Sequence, residues 1–294
     1  TAFEVLRSQE FPFALLMPIN AGIYLPYEFS FCYYRHKYEM PLEKLQAAQA
    51  GSELKVVRTG LDKEVLAKLY YECTKAWNGA PLRTDFQWNK LLKVHSLENV
   101  KCAVVYEADE PVGYMLYKLQ DANFNVVELM AQSATARNRL LQFAASHKSE
   151  AKTFTWLAEA WDKSYLNFAD HNVSGSLQPF MMARCLDARL ALAKLNVPYN
   201  MEENSVVMLL TDSVIGRNNH LLKVKTAPGK LEAVSTLDNE EVTMDMGAFT
   251  QLYFGAFTAT ELAEAGKIKV HNAEKLSVLD RLFPKTRNYI NEYF

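Results

Sequence analysis

The segment from Lys101 to Leu157 constrains the fold of this chain more than any other part of the sequence. It contains three stretches rich in β-branched and aromatic residues, separated by two short polar turns. Such an arrangement predicts an antiparallel meander of three strands. Apolar residues at helical spacing follow, and a further apolar stretch then predicts another strand. The predicted elements are, in order, Lys101–Tyr106, Gly113–Lys118, Phe124–Ala131, the helix Ser133–His147 and the strand Lys152–Leu157.

Residues 53–177 are predicted to form a complete domain around this meander. Lys55–Arg58 predicts a short strand before it, and Leu61–Trp77 and Asp85–His95 predict helices. This order gives an α+β fold in which helices cover a sheet. The loop Met130–Ala136, where the last helix begins, contains no glycine. Because a bound pyrophosphate needs the backbone to approach closely at such a turn, we interpret this domain as a scaffold or a substrate wall.

Residues 1–52 have the pattern of the second half of a domain. Phe11–Ile19 is a continuous apolar run, which predicts a strand buried on both faces, and the aromatic-rich Phe29–Met40 predicts another strand. A strand–helix–strand unit requires an earlier strand, and none precedes Phe11 in this sequence. The sequence also begins with Thr1 rather than Met. We therefore expect that the N-terminal part of this first domain is missing from it.

Residues 178–294 are predicted to form a third domain of helices and strands. Thr258 and Glu261 have the spacing of a capping box, and Gly266 is predicted to end the helix that they begin. The predicted helices are Asp187–Leu195, Asp245–Phe254, Thr258–Ala265 and Ala273–Phe283, and the predicted strands are Ser205–Leu210, Leu221–Thr226 and Leu231–Thr236.

The charge balance and the cysteine spacing exclude several classes of protein. The 32 Lys+Arg and 34 Asp+Glu residues give a net charge of −2, without the basic excess of nucleic-acid-binding or acidic-membrane-binding proteins. No apolar run reaches the roughly 18 residues of a transmembrane helix. The 4 cysteines lie far apart, which is typical of free thiols in a reducing compartment, and the 6 histidines are scattered. We expect a cytoplasmic protein without a metal site and without nucleic-acid or membrane partners.

The order of elements in residues 53–177 resembles the GNAT N-acetyltransferase fold, whose acetyl-CoA loop lies at the junction that here has no glycine. Residues 1–52 resemble the second half of another such domain, because the apolar run is followed by Asn20-Ala21-Gly22-Ile23-Tyr24. Residues 178–294 resemble a sterol-carrier-type module. The segments that carry this resemblance are Met182–Asp187, Leu252–Phe257, Leu262–Ile268, Leu282–Pro284 and Tyr293–Phe294. Taken together, the chain resembles the Eis-like (enhanced intracellular survival) acetyltransferases along essentially its whole length.

This resemblance implies direct transfer of an acetyl group from acetyl-CoA to a primary amine in a ternary complex. The amine would belong to an aminoglycoside-like polyamine or to a lysine side chain. The resemblance implies that Tyr24 is the general acid that protonates the departing thiolate. It also implies that the C-terminal carboxylate of Phe294 acts as a base or orients the amine. A homo-oligomer such as a hexamer is implied as well, and the main acetyl-CoA loop would lie upstream of Thr1.

Other interpretations of the same residues stay open. Tyr33 also fits the family motif that selects Tyr24, and either tyrosine could be a core residue. A C-terminal Phe is ordinarily a frayed end. Four carboxylates could line a pocket for a cationic substrate or could be solvated residues or helix caps, namely Glu28, Glu39, Asp162 and Asp170.

The alternative function is of a different class. The sterol-carrier-like domain could bind a lipid or another small molecule without catalysis. The segment Phe249–Phe257 would line the apolar groove, although the same residues fit a core helix equally well.

Overall fold

A computed structural model of the chain describes residues 2–45, 53–168 and 174–292. These residues form two compact units. Unit one contains residues 2–33 and 179–288, and unit two contains residues 34–45, 53–168, 174–178 and 289–292. The division into three domains after residues 52 and 177 stays a prediction.

The regular elements of the described residues follow in chain order. The α-helices are α1 (Ala2–Ser8), α2 (Ala21–Tyr24), α3 (Lys63–Thr74), α4 (Asp85–Leu97), α5 (Ala134–Ala145), α6 (Ala188–Ala193), α7 (Met246–Tyr253), α8 (Ala259–Glu264) and α9 (Glu274–Leu282). The strands are β1 (Phe13–Leu16), β2 (Ser30–Pro41), β3 (Leu54–Thr59), β4 (Lys101–Glu107), β5 (Glu110–Gln120), β6 (Asn123–Ala131), β7 (Thr153–Glu159), β8 (Ser174–Cys185), β9 (Asn204–Thr211), β10 (His220–Ala227), β11 (Lys230–Ser235), β12 (Val242–Asp245) and β13 (Ile268–Val270).

The sheet of unit two has the strand order β2-β7-β6-β5-β4-β3. Strands β4, β5 and β6 pair antiparallel with their sequence neighbours, which confirms the meander predicted from the turns. Strand β7 is parallel to β6, because α5 crosses between them, and antiparallel to β2. The parallel pairing extends only from Asn123–Thr153 to Val126–Trp156.

Helices cover both faces of this sheet. Ala103 and Val105 of β4 point to the side covered by α5, where they share a core with Leu140. The alternate residues of β4, such as Val104, pack instead with Leu66 of α3 and with α4. Period-two alternation along β4 therefore supplies two cores. Each fully buried leucine contributes roughly 1.5–3 kcal/mol to stability.

Unit one contains a five-stranded sheet in the order β11-β10-β9-β12-β13. All pairs are antiparallel except β12 with β9. Helix α7 lies in the core through the fully buried Phe249 and Leu252. The capping box of Thr258 and Glu261 at the start of α8 is confirmed. Unit one also contains the antiparallel pair β1–β8, in register from Phe13–Cys185 to Leu16–Met182.

The prediction that Phe11–Ile19 is a strand buried on both faces is wrong in its burial. The strand exists as β1, but Phe11 is 51% exposed, Leu15 is 42% exposed and Ile19 is 97% exposed. A continuous apolar run is compatible with burial on both faces of a strand. Actual burial also requires other parts of the chain to pack on each face, and the run does not indicate whether they do.

Candidate active site

Tyr24 ends the short helix α2, which Asn20 begins by accepting a hydrogen bond from the Gly22 amide at 2.9 Å. A 3-10 turn, Leu25–Tyr27, continues from it and ends at Glu28. Glu28 has a φ of 60°, a left-handed conformation that is uncommon for residues other than glycine. The segment from Tyr24 to Glu28 is therefore a compact turn that ends in a strained residue.

The Tyr24 side chain is half-buried in unit one. The edge of its ring meets the Phe29 ring, with the centroids 5.9 Å apart, and the Tyr24 carbonyl accepts a hydrogen bond from the Phe29 amide at 3.4 Å. Within the part of the chain that the structure describes, no group forms a hydrogen bond with the Tyr24 hydroxyl. The phenol thus has a fixed ring and an available proton.

Glu28 is held by two other parts of unit one. One of its carboxylate oxygens accepts hydrogen bonds from the Ser213 amide at 2.8 Å and from the Ser213 hydroxyl at 2.5 Å. The other oxygen lies 3.6 Å from the guanidinium of Arg184. The side chain of Arg184 is completely buried, and it makes two hydrogen bonds with Asp212, at 2.8 and 3.0 Å.

Asp212 stays charged despite its burial. Burial disfavours the carboxylate, but hydrogen bonds from the Ile215 amide, Asn218 and Arg184 more than compensate and hold the pKa of Asp212 below its ordinary value. A further hydrogen bond to Asp212, from the Val214 amide at 2.9 Å, fixes the same turn. This charged pair therefore orients the Ser213 amide and hydroxyl that hold Glu28.

Tyr33, the alternative general acid, lies in a different environment. Its side chain is 2% exposed and its ring meets Phe254, with a centroid distance of 6.1 Å. Burial first, and then the neighbouring Cys32, raise the pKa of Tyr33 far above its ordinary value. Such a phenol gives up its proton less readily than an exposed one, so the geometry favours Tyr24, although the assignment stays a prediction.

The remaining candidate residues have separate fates. Glu39 is exposed on β2 and pairs with Lys37 at 2.5 Å. Asp162 is buried, and it accepts hydrogen bonds from the Tyr38 hydroxyl at 2.7 Å and from Arg137 at 2.8 Å. Glu39 is thus part of a surface ion pair, and Asp162 is a buried hydrogen-bond acceptor within unit two. Asp170 and Phe294 lie outside the described residues.

In unit two, β6 and β7 separate and the C-terminal segment Tyr289–Glu292 enters beside them. The register of β6 against β5 shifts at Val127, which leaves Val127 as a bulge residue. The Asn291 side chain donates a hydrogen bond to the Val127 carbonyl at 3.3 Å and accepts one from Arg35, also at 3.3 Å. The Tyr289 ring packs on Trp77 with the centroids 4.9 Å apart. A strand bulge and a side-chain amide thus hold the end of the described chain.

Arg83 anchors the same segment. Its guanidinium makes two hydrogen bonds with Glu128 of β6, at 3.0 and 2.5 Å, and one with Glu292 at 2.7 Å. The guanidinium also stacks over the rings of Tyr70 and Trp88, at 3.9 and 4.7 Å from their centroids. Burial disfavours the Glu128 carboxylate, but Arg83 and the Tyr114 hydroxyl hold the pKa of Glu128 below its usual value.

At the start of α5, one backbone amide is already used by a capping side chain. The Ser133 side chain caps the helix by accepting a hydrogen bond from the Ala136 amide at 3.1 Å. Because the preceding loop contains no glycine, its backbone is poorly suited to the close approach that the pyrophosphate of CoA requires. Asn291 also uses the bulge carbonyl beside the separated strands. The geometry of unit two agrees with the interpretation of this region as a scaffold.

Glu159, at the end of β7, is a buried carboxyl group that the sequence did not single out. Burial raises the pKa of Glu159 to about 7, and the charge of Arg137, 3.9 Å away, offsets this only in part. One of its carboxylate oxygens has no hydrogen-bond partner among the described residues. Burial likewise raises the pKa of the nearby Cys73 thiol to about 12, which makes it a poor nucleophile.

A cavity of about 560 Å³ lies in unit one beside α6 and the β10–β11 hairpin. We call it the α6 cavity. Its lining combines apolar side chains, including Leu192, Leu195 and Leu231, with Lys225, Lys230 and Glu232. Lys225 and Glu232 form an ion pair at 3.2 Å. Of the two interpretations of Phe249–Phe257, lining a groove or filling the core, the burial of Phe249 and Leu252 favours the core.

Further observations bear on the chemistry that is available. All 4 cysteines are free thiols, as predicted. Across residues 2–45, 53–168 and 174–292 there is no group of three or more His, Cys, Asp or Glu residues able to hold a metal ion. Nor does any helix in those ranges have the length and hydrophobicity needed to cross a bilayer.

The sequence did not single out Arg83, Glu128, Arg184 or Asp212. Two of these residues did leave a signal, because Glu128 and Arg184 are single charges inside apolar strands, in the sequences VVELMA and MMARCL. A charged residue in a strand that is buried on both faces needs a buried partner. The sequence does not identify that partner, since Arg83 and Asp212 lie in loops.

Comparison with known proteins agrees with this architecture. Residues 79–190 match the acetyltransferase (GNAT) domain family, and residues 189–291 match the sterol carrier protein domain family. No curated protein matches the chain. The predicted mixed α/β fold, with a GNAT domain and a C-terminal sterol-carrier-protein-like domain, is confirmed.

Several solved structures share the fold. A conserved protein of unknown function from Enterococcus faecalis is 21% identical, with a TM-score of 0.86 over 100% of this chain and 75% of its own. A GCN5-related N-acetyltransferase from Anabaena variabilis is 19% identical, with a TM-score of 0.82 over 100% of this chain and 76% of its own. Eis1 from Mycobacterium abscessus is 19% identical, with a TM-score of 0.75 over 99% of this chain and 76% of its own. At these identities the likeness concerns the fold, and the acetyltransferase domain match indicates acyl transfer.

Proposed function

We propose that this protein is an Eis-like N-acetyltransferase that acetylates the primary amine of a small polyamine, such as an aminoglycoside, or of a lysine side chain. The match of residues 79–190 to the acetyltransferase domain carries this proposal.

Tyr24 is the proposed general acid. Acetyl-CoA supplies an activated acetyl thioester, and its thiolate needs a proton as the C–S bond breaks. The half-exposed Tyr24 phenol, with its ring fixed against Phe29, is suited to donate that proton at sulfur. A positioned general acid contributes typically a factor of about 10²–10⁴ to the rate.

The C-terminal carboxylate of Phe294 is the proposed partner of the amine. With an ordinary pKa of roughly 3.3–3.7 it is anionic at neutral pH, so it attracts an ammonium group and orients the neutral amine formed from it. We further propose a cytoplasmic homo-oligomer, which a measurement of mass in solution would test.

The experiment is an amine-dependent release of thiol from acetyl-CoA by the intact protein. The panel comprises an aminoglycoside, a linear polyamine and a lysine-containing peptide, with a tertiary amine as the control that cannot form an amide. The proposal predicts thiol release together with the mass of one added acetyl group on the amine. Thiol release no faster with primary amines than with the tertiary amine would contradict it.

The α6 cavity favours a second candidate function, the binding of a small amphipathic molecule in unit one. Apolar side chains at its wall and Lys230 suit an alkyl chain that carries an acidic group, while Lys225 is paired with Glu232. Titration calorimetry with a medium-chain fatty acid tests this. Binding should be lost in Leu195→Trp, which fills the cavity, and equal binding by both proteins would contradict this candidate.

A further inference from the structure

We propose that Glu28, held by Ser213 and Arg184, is a positioning residue that sets the direction of the Tyr24 phenol. This inference rests on the proposed function of Tyr24 as the general acid. It concerns residues of unit one alone. It gives a role in the reaction to the charged residues Glu28, Arg184 and Asp212, none of which is proposed to exchange a proton with the substrate.

The backbone between Tyr24 and Glu28 is short and hydrogen-bonded, so the position of one residue restrains the position of the other. The Glu28 amide donates a hydrogen bond to the Leu25 carbonyl at 2.9 Å, and the Phe29 amide donates one to the Tyr24 carbonyl at 3.4 Å. Tyr24 and Glu28 are thus the two ends of one hydrogen-bonded turn. Fixing the Glu28 side chain fixes the end of the turn opposite the phenol.

The backbone conformation of Glu28 indicates that something outside the turn determines it. A φ of 60° is unfavourable for a glutamate, and such a conformation persists where its surroundings enforce it. Here the surroundings are the two hydrogen bonds from Ser213 and the charge of Arg184. A residue chosen for the turn alone would be glycine, which adopts this φ without strain.

The close packing of α7 adds a third constraint. A Cβ on Gly247 would lie 2.6 Å from the Ser30 hydroxyl and 3.6 Å from the Glu28 carbonyl. The helix therefore contacts the segment closely on its backbone side, while Ser213 and Arg184 hold the Glu28 carboxylate. The turn has little room to shift as a whole.

A second route connects the same arginine to Tyr24 through aromatic rings. The Arg184 guanidinium lies 5.4 Å from the centroid of the Phe3 ring. Phe3 contacts Phe29 with the centroids 6.1 Å apart, and Phe29 contacts Tyr24 at 5.9 Å. Both sets of contacts begin at Arg184, which is buried and paired with Asp212. The same fixed side chain therefore restrains both the ring and the backbone of Tyr24.

The test compares two glycine substitutions at matched positions. Glu28→Gly removes the carboxylate and relieves the left-handed strain. Glu10→Gly relieves the same strain at another unit-one glutamate, whose φ is 58°. Glu10→Gly should be at least as stable as the wild type, because glycine accepts this backbone conformation. Glu28→Gly gains the same relief but also loses the hydrogen bonds from Ser213 and the pairing with buried Arg184, so we expect it to be less stable. Thermal unfolding of both proteins checks that they are folded before any rate is compared.

Glu28→Gly should lower kcat for amine acetylation roughly ten- to a hundredfold with an unchanged KM for the amine, since small misplacements of a reacting group have effects of that size. Glu10→Gly should keep the wild-type kcat. Adding Glu28→Gly to Tyr24→Phe should cause no further loss, because a residue that acts through the phenol has nothing to act on once the hydroxyl is gone. This last readout separates positioning from a general structural role.

Each outcome decides. A kcat of Glu28→Gly within twofold of the wild type would overturn the inference, and so would a full further loss in the Tyr24→Phe background. If Tyr24→Phe alone keeps the wild-type rate, the proposed function of Tyr24 fails, and that single variant reveals it independently of Glu28.

If Glu28→Gly does not fold, Ser213→Ala replaces it, because Ser213 is exposed and its hydroxyl donates a hydrogen bond to Glu28. It should lower kcat two- to threefold in the wild type and have no effect in Tyr24→Phe, and an unchanged kcat in the wild type would overturn the inference.

Discussion

The Nε–H of Arg83 donates a hydrogen bond of 2.7 Å to the carboxylate of Glu292, which joins the loop before α4 to the C-terminal segment of the chain. The same guanidinium is paired with Glu128 on the central strand β6. The buried guanidinium of Arg83 therefore binds both strand β6 and the C-terminal segment. In unit two, this pairing ties the C-terminal segment to the sheet.

Glu292→Gln should loosen the C-terminal segment without unfolding unit two. The hydrogen bond to Arg83 is charge-assisted, and losing such a bond typically costs about 1.5–3 kcal/mol. Hydrogen exchange of the amides in residues 289–292 should accelerate about tenfold or more, since 1.4 kcal/mol corresponds to a factor of ten. Glu110→Gln, which removes an exposed pair with Lys68, is the control and should leave that exchange unchanged. Equal exchange in both variants would show that Arg83 does not hold the segment.

Glu159 should make the stability of the protein fall as the pH rises towards neutrality. Its pKa is about 7 in the folded protein because of burial, against 4.5 as its ordinary value. The folded state therefore binds the proton more tightly than the unfolded chain does. The stabilisation is complete below pH 4.5 and is lost as the pH rises through about 7.

Urea unfolding of the wild type and of Glu159→Gln between pH 4.5 and 8 measures this contribution. The glutamine stays neutral, so the free energies of unfolding should diverge by about 3 kcal/mol across this range, the wild type losing stability relative to the variant. Curves that stay parallel would show that Glu159 titrates near its ordinary pKa.

Deleting Phe294 should impair acetylation more than replacing it with alanine. Phe294→Ala keeps a terminal carboxylate at the same position in the chain, whereas the deletion moves the carboxylate back by one residue. We expect kcat to fall at least tenfold in the deletion variant and less than threefold in Phe294→Ala, because a carboxylate must lie within hydrogen-bond reach of the group it orients. Steady-state rates of thiol release measure both. The opposite order of the two rates would assign the role to the phenyl ring.

Local patterns predicted much of the secondary structure. The meander β4–β6 followed from two polar turns, and the capping box fixed the start of α8. Strand β8 was missed, because its N-terminal half, SGSLQP, has the glycine, serine and proline content of a loop. Its tertiary pairing, in β1–β8, overrides that composition.

The candidate site was only partly predictable for a related reason. Tyr24 and Phe294 came from a family resemblance, and periodicity alone would have left Tyr24 among the other aromatic residues. The contacts Arg83–Glu292 and Arg184–Asp212 join residues 209 and 28 positions apart in the chain. The sequence shows that Glu128 and Arg184 are isolated charges within apolar strands. Which of the many opposite charges pairs with each of them is determined by the three-dimensional fold.

The central claim is that Tyr24 protonates the leaving thiolate, and the dependence of the rate on the leaving group tests it most directly. Acetyl thioesters of increasingly acidic thiols need less help from a general acid. We predict that Tyr24→Phe lowers kcat at least about a hundredfold with acetyl-CoA. The deficit should shrink steadily as the thiol becomes more acidic, while the neighbouring control Tyr27→Phe matches the wild type with every donor. A Tyr24→Phe deficit that is the same for all donors, or no deficit at all, would contradict the account.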